Sequence, residues 1–334
     1  MKKAKHFLNL AKIYFSYLLR LKKLNYLPVR LWIETSSRCN LTCRLCLNRA
    51  LGSYRKGDMD FELYKKLIDD AMDYVYDVNL FHRGEPLLNK NIIDMIEYSV
   101  TRGVKTRIHT NGVLLDKDLS RKLILSGLNL ISFSFDGYSA KTYEKNRKGA
   151  EYARTIKNIV DFLEIKKELK IKTPFTIIQI MEFDDDLSPA EFKKQKSDFI
   201  KNFHDLPLDR VVIRNPHNWG GSLDMKDTGK KNRSRKRMIP CTFLWYSLTV
   251  FFDGKVYLCP QDFFGEIQVG DLNRESIKDI FNSEKVKNIR KRFKSRSISD
   301  LSPCKSCDRI WRDTFAGIPK EYFGPFLKDS LRKN

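Results

Sequence analysis

An α/β fold built on a parallel barrel, or part of one, is what the sequence predicts, and three observations carry it. Short apolar or alternating runs recur at "RLWIETS", "DVNLFH", "KTRIHT", "LISFSF", "FTIIQIM" and "RVVIRN", bounded by turn-forming and polar residues as strands are. Segments of helical period stand between them: "FELYKKLIDDAM", "KNIIDMIEYSV", "DKDLSRKLILS", "ARTIKNIVDFLEIKK" and "PAEFKKQKSDFIKNF". Strands alternating with helices in this way form a parallel sheet with crossover helices. The third observation is that the 7 cysteines fall in two groups, one near each end of the chain, so a smaller second unit is expected after the barrel.

The elements follow in order. Residues 1–26 read as an amphipathic helix, with Phe7, Leu8, Ala11, Tyr14, Phe15, Leu18, Leu19 and Leu21 at helical spacing and Lys5, Lys12, Arg20, Lys22 and Lys23 among them. Such a face is expected to pack on its own protein rather than on a membrane. Asn9 and Lys12 interrupt the apolar region and no small-residue cleavage site follows, which argues against a signal peptide. No window reaches the ~18 apolar residues of a membrane span. The expectation is therefore a soluble, cytoplasmic protein without a transmembrane segment.

Composition narrows the class further. A chain of 334 residues with 42% apolar and 12% aromatic residues is globular, with room for one substantial core and an appended unit. The net charge of +22 is densest in "KKNRSRKR". Such a field attracts phosphates or anionic surfaces without specifying a fold. A nucleic-acid partner is not expected, because no aromatic-interleaved RNA platform accompanies the charge.

The barrel's first strand delivers a loop in which Cys39, Cys43 and Cys46 stand in C-x3-C-x2-C spacing. In a reducing compartment clustered thiols are metal ligands rather than disulfides. Structural zinc takes four ligands. Three thiolates can instead hold three corners of a four-iron–four-sulfur cluster and leave the fourth iron open. The later strand ends bring up Gly84, Asn111, Ser134 and Glu182, and barrel sites gather at the C-terminal ends of strands. Beyond a basic linker at 222–240, "CTFLWYSLTVFFDGKVYLC" sets Cys241 and Cys259 around a hairpin with an Asp253-Gly254 turn. A helix over "RESIKDIFNSEKVKNIRKRF" precedes Cys304 and Cys307. Four thiolates make a closed site, which suits zinc or a fully ligated iron–sulfur cluster.

These motifs together resemble the radical S-adenosylmethionine (radical SAM) enzymes, whose signature is a C-x3-C-x2-C loop after the first strand of a partial (β/α)6 TIM-like barrel. The resemblance implies a barrel over 27–221 and cofactor contacts along it. "RGEPLL" resembles the family's GEP element, so Gly84, Glu85 and Pro86 would meet the methionyl ammonium. "HTNGVLL" resembles the third-strand turn and brings in Asn111. "SFSFDGYSAKTYEKNRKG" resembles the stretch that supplies Ser134 and Arg147, and Gln179 on the fifth strand is a further candidate. Two positions depart from the pattern: Leu45 stands where the family usually has an aromatic residue, and Arg83 where a glycine often precedes GEP. Leucine can still cover an adenine edge by apolar contact.

Residues 241–334 resemble the SPASM and twitch extensions, a β-hairpin plus helix that carry auxiliary clusters. The resemblance implies two 4Fe-4S clusters, one for S-adenosylmethionine on Cys39, Cys43 and Cys46 and one auxiliary on Cys241, Cys259, Cys304 and Cys307. The cysteine layout is similar to that of the twitch scyllo-inosamine dehydrogenases. It implies an oxidoreductase that abstracts hydrogen from a small polar sugar or cyclitol and forms a ketone, the auxiliary cluster accepting an electron. Flavodoxin or ferredoxin would donate electrons, and the basic run would suit an anionic group on the substrate. The alternatives are a SPASM-type peptide or protein maturase and a radical enzyme acting on RNA. The N-terminal residues read as one helix and leave no room for a maturase's peptide-binding domain ahead of the barrel. Spacing does not select the catalytic group; Arg214, His217 and Asp262 are the candidates near the cavity.

Overall fold

The computed structural model describes residues 2–183, 187–224, 238–311, 314–315 and 318–319. Helix α1 (Lys2–Leu18) leads in, followed by β1 (Arg30–Ile33), α2 (Phe61–Ala71), β2 (Asp77–Asn79), α3 (Ile92–Thr101), β3 (Lys105–Thr110), α4 (Lys117–Leu125) and β4 (Leu130–Asp136). Next come α5 (Ala140–Asn146), α6 (Tyr152–Glu168), β5 (Phe175–Met181), α7 (Pro189–Lys201) and β6 (Arg210–Arg214). The C-terminal part holds α8 (Phe243–Tyr246), β7 (Ser247–Val250), β8 (Lys255–Tyr257), β9 (Gln268–Asp271), α9 (Ile277–Phe281) and α10 (Glu284–Ser295). The basic residues Lys226, Lys230, Lys231, Arg233, Arg235, Lys236 and Arg237 lie outside the described residues.

Local chemistry sets the helix starts. Asp60 accepts from the Glu62 and Leu63 amides, and Asp116 accepts from Leu119 N, so each carboxylate pairs donors that the first turn leaves free. Ser188 and Glu191 form a capping box with Pro189 opening α7. The single helix expected after the hairpin is two: α9 ends at Phe281, and Ser283 starts α10 by accepting from Val286 N. The N-terminal helix also stops earlier than residue 26. Arg20 turns left-handed at φ 53, and Leu21 N reaches Ser16 O at 2.9 Å, a Schellman-type end. The chain then runs on so that Leu24 and Tyr26 are buried and Leu24 exchanges hydrogen bonds with the Asn282 side chain.

All six strands expected for the barrel are present and pair in parallel, within a sheet of order β6-β5-β4-β3-β2-β1-β7-β8-β9. One face carries Leu31, Ile33, Val78, Ile108, Phe133, Phe135 and Ile178, all fully buried, against the helices; Phe133 meets Phe162 of α6 edge-on at 5.4 Å. The other face is polar. It presents Arg30, Asp77, Asn79, Arg107, His109, Ser132, Ser134 and Gln179, which the register places side by side. Asp77 closes its lower end by pairing with Arg30 at 2.5 Å and Arg107 at 2.7 Å.

The hairpin unit is not separate from this sheet. β7 lies parallel to β1, with Arg30 opposite Ser247 and Ile33 opposite Val250, while β8 and β9 continue antiparallel. Arg290, fully buried, ties the ends of the chain together by donating to Lys22 O, Leu244 O and Phe281 O. Satisfying several carbonyls offsets the cost of burying that charge.

Candidate functional site

The three-cysteine loop leaves β1 after Glu34 and is pinned on both sides. Ser37 N donates to Gly57 O and Ser37 Oγ accepts from Gly57 N at 2.8 Å. Thr42 N and Arg44 N donate to Lys148 O and Asn146 O at 3.0 and 2.8 Å, so the loop lies along the turn that carries Arg147. Asn48 fixes the far end: its side-chain amide donates to Ser37 O and Arg83 O, and its backbone N–H meets Cys46 Sγ at 3.4 Å. Burial pushes the Cys39 thiol up to about 11 and the Cys43 thiol up to about 12, and raises Cys46 as well. The negative charges of Cys39 and Cys46 would raise one another further. A cationic metal centre would offset that cost, because coordination requires thiolates, so the three half-buried thiols have the donor chemistry of an iron cluster.

The "GEP" segment sits directly on this loop. A Cβ at Gly84 would come within 2.3 Å of Arg38 O and 2.5 Å of Ser36 O, so the residue has to be glycine. Glu85 N donates to Arg38 O at 2.8 Å. The Glu85 carboxylate is buried and accepts from Thr110 Oγ1 at 2.7 Å, Asn111 N at 2.8 Å and Leu87 N at 3.2 Å. Burial nevertheless raises its pKa to about 6, a carboxylate that an ammonium group would help to keep ionised. Pro86 is buried beside it. Gly84→Ala is expected to destabilise the protein by about 1–3 kcal/mol, as the loop shifts to admit the methyl; denaturant titration checks it.

The structure brings most of the remaining candidates to the same end of the sheet. Asn111 Nδ2 donates to Asn40 Oδ1 inside the cysteine loop at 2.8 Å. Arg147 is buried and pairs with Asp136 at 3.0 Å. Burial works against its charge, but Asp136, Cys43 and Tyr143 outweigh that and hold the guanidinium above its ordinary range. Ser134 and Gln179 are register partners on the polar face, and Gln179 Oε1 accepts from Arg214 Nε at 3.0 Å. Arg214 thus borders this face at its exposed edge. His217 lies beside Trp219 in the loop after β6, the ring centroids 4.3 Å apart and the planes tilted by 57°. Asp262 is buried, and its two oxygens accept from Glu266 N and Ile267 N at 2.8 Å each, which organises the loop after Cys259.

The C-terminal cysteines lie within electrostatic reach of one another, while among the described residues no three His, Cys, Asp or Glu side chains are grouped to hold a single metal ion. Burial raises the Cys259 thiol well above its ordinary value, and the charges of Cys241, Cys304 and Cys307 would add to that rise. The loop after β6 closes over their turn: Asn218 Nδ2 donates to Ser306 O at 2.8 Å and Asn218 Oδ1 accepts from Asp308 N. Gly221, at φ +95, packs where a Cβ would lie 2.3 Å from Ser306 Cβ. The "NWGG" turn was the available sequence signal for this closure.

Between the two cysteine groups runs a contact that the motif reading missed. Arg83 forks onto Glu34 at 2.5 and 2.6 Å, lies over the Phe251 ring at 3.6 Å and donates to Phe263 O at 3.3 Å. Glu34 also accepts from Phe252 N. His82 Nε2 donates to Pro260 O at 2.8 Å, next to Cys259. Burial, chiefly, depresses His82 to about 3. The unfolded imidazole binds its proton near pH 6.5, so between pH 6.5 and 3 the unfolded state holds the extra proton. Stability is then full above pH 6.5 and falls by about 1.4 kcal/mol per pH unit as the pH drops through that window. His82→Gln should flatten the slope in acid denaturation monitored by circular dichroism.

A parallel α/β sheet, a three-thiol loop at the end of its first strand and a second group of four thiols fit a radical SAM domain followed by an iron–sulfur extension. The chain carries a domain of the radical SAM superfamily over residues 33–187 and a SPASM iron–sulfur cluster-binding domain over 241–308. Proteins of this kind use S-adenosylmethionine with a four-iron–four-sulfur cluster, and the SPASM domain binds further iron–sulfur clusters. The chain is 27% identical over 286 residues, 83% of this chain and 92% of the other, to the S-adenosyl-L-methionine-dependent 2-deoxy-scyllo-inosamine dehydrogenase of Niallia circulans. It is 36% identical over 137 residues, 40% of this chain, to the Fe-coproporphyrin III synthase of Methanosarcina barkeri, and that match spans only 34% of the synthase. The crystal structure of BtrN in complex with AdoMet and 2-DOIA superposes with a TM-score of 0.56 at 22% identity, over 86% of this chain and 95% of that one. Among the described residues no helix is long and apolar enough to cross a membrane.

Proposed function

We propose that this radical SAM enzyme is a dehydrogenase that oxidises a carbinol of a small polar substrate, a sugar or cyclitol, to a ketone. One observation carries the reading: the loop after Cys259 is joined to the GEP segment by His82, which donates to Pro260 O, and by Arg83, which donates to Phe263 O. That suits a second centre that takes an electron close to the first. The likeness to the inosamine dehydrogenase over nearly its whole length supports the same reading.

In this proposal Cys39, Cys43 and Cys46 hold the cluster that binds the cofactor, and Cys241, Cys259, Cys304 and Cys307 hold one fully ligated auxiliary cluster. Together the first cluster and S-adenosylmethionine supply a 5′-deoxyadenosyl radical able to abstract hydrogen. The chain's own residues bind and orient. Glu85, fixed by Thr110 and Asn111, receives the methionyl ammonium on a carboxylate that cannot swing away. Asn111 braces the cluster loop through Asn40, and Ser134, Arg147 and Gln179 would make further contacts with the cofactor. Arg214, His217 and Asp262 remain the candidates near the cavity for the deprotonating step; Asp262 has both oxygens engaged by loop amides and Arg214 is a permanent cation without an acceptor, so His217 stands closest to the task of taking the proton. Flavodoxin or ferredoxin would provide the reducing electron.

Metal analysis tests the two-cluster core of this reading. Anaerobically reconstituted protein should hold about eight iron and eight sulfide per chain, and replacing Cys39, Cys43 and Cys46 together should remove half. A single zinc at the C-terminal cysteines would refute the electron-accepting role.

A further inference from the structure

Leu8 is 61% exposed, Phe15 60%, Leu19 63%, Leu18 43% and Leu21 41%, and all five belong to α1 and the turn that ends it. At 3.6 residues per turn, positions 8, 15 and 19 fall on one stripe of the helix. The opposite stripe is occupied: Tyr17 meets Trp245 edge-on at 5.4 Å and donates to Pro240 O, and Ile13 packs on the core. The helix is therefore apolar on two sides, with one covered by the protein.

The rim of the uncovered side is basic. Lys12 falls within the stripe, between Leu8 and Phe15, Arg20, Lys22 and Lys23 follow it, and residues 1–33 include no acidic residue. Helix α10 begins beside this segment, through the Leu24–Asn282 and Arg290–Lys22 hydrogen bonds. The acidic group that faces Lys22 and Lys23 is Glu284, which is itself paired with Lys287 at 2.7 Å.

We propose that the outer face of α1 docks the protein on an anionic lipid surface. An apolar stripe flanked by lysines without interspersed acids matches a headgroup layer that is uniformly negative, with apolar side chains entering the acyl boundary and lysine stems snorkelling back to phosphate. A partner protein of ordinary mixed charge would meet no acceptor-and-donor pattern here. The arrangement lies on the interface and does not span it, consistent with α1 being short and interrupted by charge. This inference is independent of the reaction proposed above.

Cosedimentation of the full-length, cluster-loaded protein with vesicles tests it. Phosphatidylcholine vesicles containing phosphatidylglycerol should bind at least about tenfold more tightly than phosphatidylcholine alone, and added salt should weaken the binding. Phe15→Ser combined with Leu19→Ser should remove at least about tenfold of that affinity with an unchanged melting temperature and cluster content. Leu125→Ser, at an exposed leucine on α4, should leave binding unchanged. Two results overturn the proposal: equal or no binding to the two vesicle types, or a dimer in light scattering that the Phe15 and Leu19 substitutions dissociate, which would assign the face to a second copy of the chain.

Discussion

On the proposed dehydrogenase reaction, replacing Cys259 and Cys307 together by alanine is expected to lower ketone formation by more than about a hundredfold, equivalent to about 2.7 kcal/mol, while 5′-deoxyadenosine continues to form. With a substrate deuterated at the carbinol carbon, the 5′-deoxyadenosine from this variant should still carry deuterium. The reasoning is spatial: Cys39, Cys43, Cys46 and the Glu85 carboxylate are held by contacts that do not involve the C-terminal thiols, so hydrogen abstraction does not need them. Because metal ligation contributes to folding, circular dichroism and cofactor binding of the variant have to match the wild type before the comparison is read. A folded variant that still makes ketone at the wild-type rate would show that these cysteines serve structure alone.

The second large effect concerns the buried pair between the two centres. Arg83 and Glu34 have side chains 3% and 0% exposed, so Arg83→Met leaves a carboxylate without its cation in the interior. Breaking such a pair costs about 3–5 kcal/mol, whereas replacing both members by apolar residues often costs little. Arg83→Met should therefore destabilise strongly, and Glu34→Leu combined with Arg83→Met should recover most of the loss in denaturant titrations. Additive losses in the double-mutant cycle would mean that the two residues act separately. Because Arg83 also supports Asn48 through its carbonyl and the Phe263 loop through its guanidinium, the single variant should loosen both cysteine groups, visible as lower iron content.

Much of this was legible in the sequence because the signals are local. Alternation and helical period located the barrel strands, and Asp253-Gly254 located the hairpin turn, where Gly254 takes φ +85. The cysteine loop, Gly84, Glu85 and Asn111 could be read as one group because each follows a strand end, and parallel pairing gathers strand ends in space. Long-range partners left no such trace. Arg83 reads as a departure from a motif until Glu34 and Phe251 are seen around it. The pairing of β7 with β1 imposes no period on either segment. The break at Asn282-Ser283 was legible in principle, since serine before a glutamate-led turn is a start signal, but a continuous helical period concealed it.

That pairing of β7 with β1 has a consequence for how the chain is made. Strand β1 emerges early in synthesis, while its partner on one side, Ser247–Val250, emerges only after most of the chain. Until then Arg30–Ile33 presents an unpaired ribbon edge, the kind of template on which nascent or truncated chains associate. A fragment ending before Phe243 would keep that edge permanently bare and also lack Trp245 and Arg290, whose hydrogen bonds to Leu21 O and Lys22 O hold the N-terminal segment down. Folding therefore completes when the last third of the chain returns to the first, and limited proteolysis should release no stable barrel core on its own.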